Sequence, residues 1–342
     1  MNLINLTEPP AGKTGWPWTE GTTAPAPQSS SSWPKVTVVT PSFNQGQFLE
    51  ETIRSVLLQN YPNLEYIIID GGSNDNSVAI IRKYEAHLKY WVSEKDNGQT
   101  HAINKGFRMA TGEWVGWLNS DDFYLPGALI TLLHEVRETP FKWVAGSVKY
   151  IHEGNERRDS IEKQNSSAKL IDWLLFKFYF NQPGALWKRS LFKQYGYLEE
   201  HMHYAFDWAF WCCLVAHGVQ PLLIEEPVAA FRLHDESKTC TRWDRFCAEN
   251  YAIIQGYLPQ LSASDKKAAA KHQTNLLCTQ MHHECSRLLT SHNCCKALQR
   301  IAQLVVRRPQ MLLKLTPYRM LRLALMQSAA RTVDLGRARK SE

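Results

Sequence analysis

The chain lacks several things that would settle its class at once. No C-x-x-C occurs among its eight cysteines, two of which (Cys212 and Cys213) are adjacent, as are Cys294 and Cys295. That spacing argues against a zinc framework or a disulfide scaffold, and free thiols suit a reducing cytoplasm. No run approaches the ~18–20 apolar residues of a membrane-spanning helix. The first fourteen residues, MNLINLTEPPAGKT, have no basic stretch followed by an apolar core, so no secretory signal is expected there. G-x-G-x-x-G, G-x-x-x-x-G-K-[ST] and G-x-S-x-G are all missing, which argues against dinucleotide dehydrogenases, P-loop NTPases and nucleophile-elbow hydrolases.

A uniform positive charge is also missing. The net +6 over 342 residues is concentrated at one end. Residues 301–342 carry nine Lys/Arg and two Asp/Glu, a local +7, so the other 300 residues sum to −1. A nucleic-acid binder spreads its charge differently, and no nucleic-acid partner is expected.

Residues 1–34 are rich in Pro, Gly, Ser and Thr and predict a flexible leader, although Trp16, Trp18 and Trp33 are unusual there and suggest points of attachment to the body. At Lys35 the character changes. KVTVVT (35–40) predicts a buried strand, PSFNQG (41–46) a turn, and residues 47–59 a helix from Phe48, Leu49, Ile53, Val56 and Leu57. LEYIII (64–69) predicts a second strand, DGGSND (70–75) a loop, and a helix runs on to about Leu88. Tyr90–Val92, a helix over Gln99–Met109 and a strand over Glu113–Leu118 follow, the last running into NSDD at 119–122. Strands alternating with helices predict an α/β fold with a mainly parallel central sheet. Ligands of such sheets bind beyond the carboxyl ends of the strands, where Pro41–Asn44, Asp70–Asp75 and Asn119–Asp122 should converge. From about Arg245 the pattern is helical throughout. The expected domains are therefore a leader over 1–34, a catalytic domain over 35–240 and a basic helical extension over 241–342.

Two loops at that edge are acidic. Asp70 closes the second strand, where a carboxylate can accept from a base or ribose, and the following glycines allow close backbone approach. The alternative is a tight strand-to-helix connection in which Ser73 or Asp75 caps the next helix. Asp121 and Asp122 are adjacent carboxylates that repel unless a cation or an array of donors faces them. A divalent ion with oxygen ligands would serve, and it would also neutralise a diphosphate. The alternative is an exposed helix start capped by Ser120 or Asp121.

Several of these segments, in order, resemble the inverting family 2 glycosyltransferases of GT-A fold. VVTPSFNQG (38–46) looks like their opening strand and nucleotide loop. IIDGGSND (68–75) is similar to their D-D/G-G-S-T-D segment. EKDNGQTHAINKGF (94–107) resembles the E-x-D-x-G-Q-x-x-A-x-N-x-G sub-family, and LNSDD (118–122) the D-x-D-type metal element. The likeness spans Lys35 to His234. It implies a GT-A core with a Rossmann-like sheet, and transfer of a sugar with inversion from a UDP-, GDP- or dTDP-sugar to a glycan or lipid-linked acceptor, in surface-polysaccharide assembly. Asp70 would hold the base, with Pro41, Asn44 and Gly71 nearby. Asp96, Gln99 and Asn104 would line the donor site. Asp121 would touch ribose or sugar, and Asp122 would bind Mg²⁺ or Mn²⁺. FDWAFW (206–211) is similar to the family's E-D-x-x-x-W, which makes Asp207 the base and leaves Phe206 where the family has an acid. RLH (232–234) resembles R-x-H, whose His234 would complete the metal shell. Phe178–Trp187 would face the acceptor, with Gln182 bonding a hydroxyl and Trp187 stacking on a sugar; core packing is the alternative for Phe178, Phe180 and Trp187.

Two other classes deserve comparison. A nucleotidyltransferase would need a basic Gly-rich loop, which Pro41–Gly46 is not. A lapsed, glycan-binding relative would not need Asp70, Asp121, Asp122 and Asp207 together. Residues 301–327 interleave apolar residues with Arg/Lys around Pro309 and Pro317, which suits either an interfacial helix on the anionic inner face of a membrane or a helix packed on the body with a solvated basic face.

Overall fold

The most apolar β-branched segment forms the centre of the sheet. In the computed structural model, which describes residues 6–22, 33–152, 155–158, 168–177, 180–290 and 294–307, strand β1 (Val36–Ser42) is buried along its whole length. A central strand covered on both faces must satisfy its polar side chains internally. Thr37 donates to Glu65 at 2.7 Å, and the Thr40 hydroxyl lies 2.9 Å from that of Tyr66.

The chain continues through α1 (Gly46–Leu57), β2 (Leu64–Asp70), α2 (Ser77–Tyr84), β3 (Tyr90–Ser93), α3 (Gln99–Met109), β4 (Trp114–Trp117), β5 (Phe123–Tyr124) and α4 (Ala128–Val136). Then come β6 (Trp143–His152), β7 (Asn155–Arg158), α5 (Leu170–Leu174), β8 (Ala185–Lys188), α6 (Arg189–Tyr195), α7 (Phe206–Ala216) and β9 (Leu222–Leu233). The expected strands are present, with ends shifted by a residue or so.

The sheet runs β3-β2-β1-β4-β8-β6-β9-β5, with β7 added beside β6. Its first half, β3-β2-β1-β4, is parallel as expected. The second half is mixed: β8 pairs antiparallel with both β4 and β6, β5 pairs antiparallel with β9, and β6 runs parallel to β9. The description "mainly parallel" therefore holds for the nucleotide-type half alone. Strand order reverses at β1, whose neighbours β2 and β4 lie on opposite sides. That reversal opens a crevice at the carboxyl ends of β1 and β4.

Part of the expected leader is not loose. Arg54 of α1 is 4% exposed and donates to the carbonyls of Thr7, Pro17 and Trp18 at 2.8–3.0 Å. The Trp16 indole donates to the Tyr124 carbonyl at 2.8 Å, and Trp18 is buried under the Arg54 guanidinium. A buried cation needs acceptors, and these backbone carbonyls supply them. Composition signalled flexibility, but the tryptophans bring enough apolar area to hold residues 6–22 down.

The chain divides into two units, Met1–His234 and Asp235–Glu342. The second is helical among its described residues: α8 (Lys238–Thr241), α9 (Trp243–Tyr257), α10 (Ala263–Thr290) and α11 (Cys294–Arg307). Asp244 is buried and bonded by Arg287 at 3.0 Å, while Cys278, Met281, Cys285, Ala297 and Ile301 form its small core. Residues 308–342, most of the expected membrane-facing tail, lie outside the described residues. Among the described residues no helix is long and apolar enough to cross a membrane.

Glu65 of β2 carries a pH dependence. Burial would raise its pKa, but the Thr111 N–H, the Thr37 and Thr111 hydroxyls and Lys35 outweigh it and hold the carboxyl at about 2. A carboxyl lowered in the folded chain stabilises above its unfolded value of ~4.3 and loses that contribution as pH falls toward 2. Urea unfolding at pH 5 and pH 3 should show the parent losing on the order of 2 kcal/mol more than Glu65→Gln between the two. Equal losses would remove Glu65 as the source.

Candidate functional site

The carboxyl edge of the parallel strands is built by backbone donors and short polar side chains. Ser42, Asp70 and Ser93 end β1, β2 and β3 at the same register level. The Asp70 carboxylate is wholly buried. One oxygen accepts from the Gly72 and Ser73 N–H groups and from Ser93 at 2.6 Å, and the other accepts from the Ser73 hydroxyl at 2.6 Å. Its contacts thus build the loop, with Oδ1 accepting from the Ser73 hydroxyl alone.

That loop is tied to the one after β1. Asn44, with a left-handed φ of 52°, donates its N–H to Ser73 and accepts the Asn74 N–H on Oδ1. The Asp75 carboxylate accepts the Gly46 N–H at 2.8 Å and the Ser77 N–H at 2.9 Å, so it caps the first turns of α1 and α2 together. Burial would raise its pKa, but the Ser77 hydroxyl and these N–H groups more than offset that and hold it low. A Cβ at Gly46 would sit 1.7 Å from Asn76 Oδ1, so that side chain would have to move to admit one. Pro41 is buried beneath the loop, and Phe43 stands 59% exposed on it.

Asp96 reaches the same edge. A Cβ on Gly71 would meet its carboxylate at 2.9 Å, and Asp96 accepts the Gly98 N–H at 2.7 Å, leading into α3. Gln99 donates to Asn119 at 2.8 Å. Asn104 is turned elsewhere: it donates to the Leu198 carbonyl and Glu200 and accepts the Leu198 N–H. Its amide therefore pins the segment before α7 and does not line the crevice. Thr100 adds a bond to the Met202 carbonyl. These bonds deliver Asp207 in the first turn of α7, where it accepts the Trp208 N–H, while Phe206 packs against Trp117 at the end of β4.

The carboxylates after β4 divide their labour in the reverse of the motif's order. Asp122 is 1% exposed and accepts the Arg232 N–H at 2.9 Å and the Asn119 amide at 3.3 Å. Burial and the neighbouring Asp121 push its pKa well up, partly opposed by those donors. Asp121 is more open, with its side chain 21% exposed and Oδ2 lying 3.1 Å from His234 Nε2. The more open pair is thus Asp121 with His234, while Asp122 is drawn inward by its donors. An oxygen and an imidazole nitrogen suit Mn²⁺ or Mg²⁺ when ligand phosphates fill the remaining positions. Among the described residues there is no cluster of three or more His, Cys, Asp or Glu, so a cation here would depend on such a ligand.

The proposed acceptor residues are mostly packing. Trp187 is fully buried and stacks on Trp117 with centroids 4.9 Å apart, among Trp143, Phe192 and Phe210. It cannot stack on a sugar. Phe180 is equally buried, and Phe178 lies outside the described residues. Gln182 donates to the Trp117 carbonyl at 2.6 Å and accepts from Asn119 at 3.4 Å.

Asn119 escaped the motif reading, yet it joins three segments: α3, its own turn and the stretch around Gln182. It accepts from Gln99 and donates toward Asp122 and Gln182. An amide can do both; a carboxylate cannot. Phe48, Glu51 and Thr52 were also missed. They lie at i, i+3 and i+4 of α1, the spacing that faces one side of a helix, but only its apolar residues were read. Thr52 reaches the carbonyls of Ser120 and Asp122 at 2.9 and 2.7 Å.

Residues 37–196 match the family model described as Glycosyl transferase family 2. A similar curated protein is the GalNAc(5)-diNAcBac-PP-undecaprenol beta-1,3-glucosyltransferase of Campylobacter jejuni, 31% identical over 175 residues that cover 49% of this chain and 56% of that one. Another is the poly(ribitol-phosphate) beta-N-acetylglucosaminyltransferase TarP of Staphylococcus aureus, 36% identical over 151 residues, 42% of this chain and 46% of TarP. The chain thus spans about half the length of these two relatives. Among solved structures, mannosyltransferase PcManGT from Pyrobaculum calidifontis, determined with GDP-Man and Mn²⁺, has a TM-score of 0.56 at 19% identity and covers 92% of this chain and 91% of its own. That likeness establishes a GT-A type fold.

The Asn119 hub is testable. Asn119→Asp removes both donations and sets a third carboxylate beside Asp121 and Asp122. Chemical unfolding should show a loss of about 1–3 kcal/mol. A variant as stable as the parent would show that these bonds do not hold the loop.

Proposed function

From the match of residues 37–196 to the family model described as Glycosyl transferase family 2, we propose that the chain belongs to that family and transfers a sugar from a nucleotide-diphosphate sugar to a glycan or lipid-linked hydroxyl, with inversion. The observation that carries this is the 3.1 Å approach of Asp121 to His234 after β4, at the same sheet edge as the bonded loops that follow β1 and β2. The names of the similar curated proteins, which concern an undecaprenol-linked glycan and poly(ribitol-phosphate), agree with a role in surface-polysaccharide assembly.

The nucleotide lies across the crevice at β1 and β4, beside Phe43 and the loop that Asp70 and Asp75 hold. The diphosphate faces Asp121 and His234, which are the residues that would hold Mg²⁺ or Mn²⁺. Such an ion supplies neutralising charge for the diphosphate as it departs. The acceptor hydroxyl attacks the anomeric carbon from the face opposite the diphosphate. The new carbon–oxygen bond forms as the bond to phosphate breaks. The hydroxyl proton passes to the Asp207 carboxylate in the first turn of α7. A carboxylate is a weak base for an alcohol, so the proton moves late, when bond formation has acidified it. Loss of the acid that the family places before Asp207 is consistent with Phe206 serving as a packing residue on Trp117.

The extension over 241–342 completes this reading, with the basic segment 301–342 attaching the protein to an anionic membrane surface on the cytoplasmic side. Vesicle sedimentation should then weaken as salt rises.

Incubation with a panel of UDP-, GDP- and dTDP-sugars and Mn²⁺ should release the nucleoside diphosphate from one class. Asp207→Asn should cut transfer by at least ~100-fold while keeping nucleotide affinity within a few fold. Asp121→Ala should lose metal-dependent donor binding, measured by calorimetry. A fully active Asp207→Asn enzyme would remove Asp207 as the base.

A further inference from the structure

Glu51 and Arg232 form an ion pair that the motif-based reading leaves without a role. Arg232 closes β9, two residues before His234. Its backbone N–H goes to Asp122, its Nε donates to the Asp121 carbonyl at 3.0 Å, and its Nη2 reaches Glu51 Oε2 at 3.1 Å. Both side chains are mostly buried, at 18% and 17% exposure, where an ion pair is screened less than at the surface. The guanidinium lies over the Phe48 ring at 4.8 Å and near Phe123 at 5.6 Å. Phe48 in turn packs against the His234 imidazole with ring centres 4.8 Å apart.

One side chain therefore touches both partners of the candidate metal pair. It bonds the main chain of Asp121 and wedges the ring that flanks His234. Glu51 sets where that side chain lies, because a planar guanidinium held at Nη2 and Nε has little freedom left. Thr52, one residue on, fixes the same turn through Ser120 and Asp122.

We infer that Glu51 is a positioning residue, which through Arg232 and Phe48 sets the separation of Asp121 and His234 and thereby the affinity for a divalent cation. This rests on the reading above that Asp121 and His234 hold the ion. It requires no contact between Glu51 and the ion or the donor.

The test titrates Mn²⁺ into the full chain with UDP, GDP or dTDP present in turn to supply the phosphate ligands, followed by electron paramagnetic resonance, with thermal melting in parallel. Glu51→Leu should raise the Mn²⁺ dissociation constant about 10-fold, the scale of outer-sphere substitutions. Glu51→Gln keeps an acceptor for Arg232 Nη2 and should stay within about threefold of the parent. Glu50→Leu serves as a control on the same helix: it removes the ion pair with Lys83 and the Tyr84 bond, and should leave Mn²⁺ affinity unchanged whatever it does to melting. A Glu51→Leu chain that binds Mn²⁺ like the parent would overturn the positioning role alone, as would equal weakening by Glu50→Leu. Absence of Mn²⁺ binding by the parent would overturn the metal reading and this inference with it.

Discussion

The bond from the Arg232 N–H to the buried Asp122 carboxylate joins the two halves of the sheet at the site. Asp122 follows β4, the last of the parallel strands, and Arg232 closes β9 in the mixed half. The pairing of β5 with β9, Phe123 opposite Ala230 and Tyr124 opposite Ala229, sets their register, and this bond extends it to the turn at 119–122. Everything outward of it depends on that register: the 3.1 Å approach of Asp121 to His234, the Arg232 contact to the Asp121 carbonyl and the seat of Phe48. A carboxylate with no exposure is costly, and the donors from Arg232 and Asn119 are what make it tolerable.

The same economy recurs in the loops after β1 and β2. Asp70 and Asp75 are drawn inward by N–H groups and hydroxyls, so the loops keep their shape without a ligand. Fewer groups keep open surface there, among them the Asp121 side chain at 21% and the ring of Phe43 at 59% exposure. Acidic residues in one motif thus fall into two physical classes, builders and presenters, and local chemistry decides which is which. The number of backbone donors within reach separates Asp70 from Asp121 more sharply than their position in a motif does.

Much of this fold was legible in the residues. Alternating β-branched strands and amphipathic helices specified the parallel half, because strand and helix periods are local properties of the chain. The mixed half was not legible, since β8, β6 and β9 pair over distances that no local pattern encodes. The site was legible to the level of loops. Pro41–Asn44, Asp70–Asp75 and Asn119–Asp122 do meet at one edge. Which side chain turns outward was not legible: Asp121 and Asp122 are chemically identical neighbours, separated by which one the Arg232 N–H reaches. Trp187 and Gln182 illustrate the same limit, for an aromatic or amide beside a crevice reads the same whether it faces ligand or Trp117. Asn119 was hidden because amides carry no charge pattern to notice.

The Arg54 latch has a practical meaning for where the catalytic domain begins. By composition, the natural place to trim the protein is Lys35. Trimming there would strip the guanidinium of the Thr7, Pro17 and Trp18 carbonyls and uncover the bed in which Trp18 lies. Arg54 stands on the same helix as Phe48, Glu51 and Thr52, one turn from the residues that steady the acidic turn. The N-terminal residues are in this sense an outer wall of α1, and a minimal domain drawn without them would leave that helix bare.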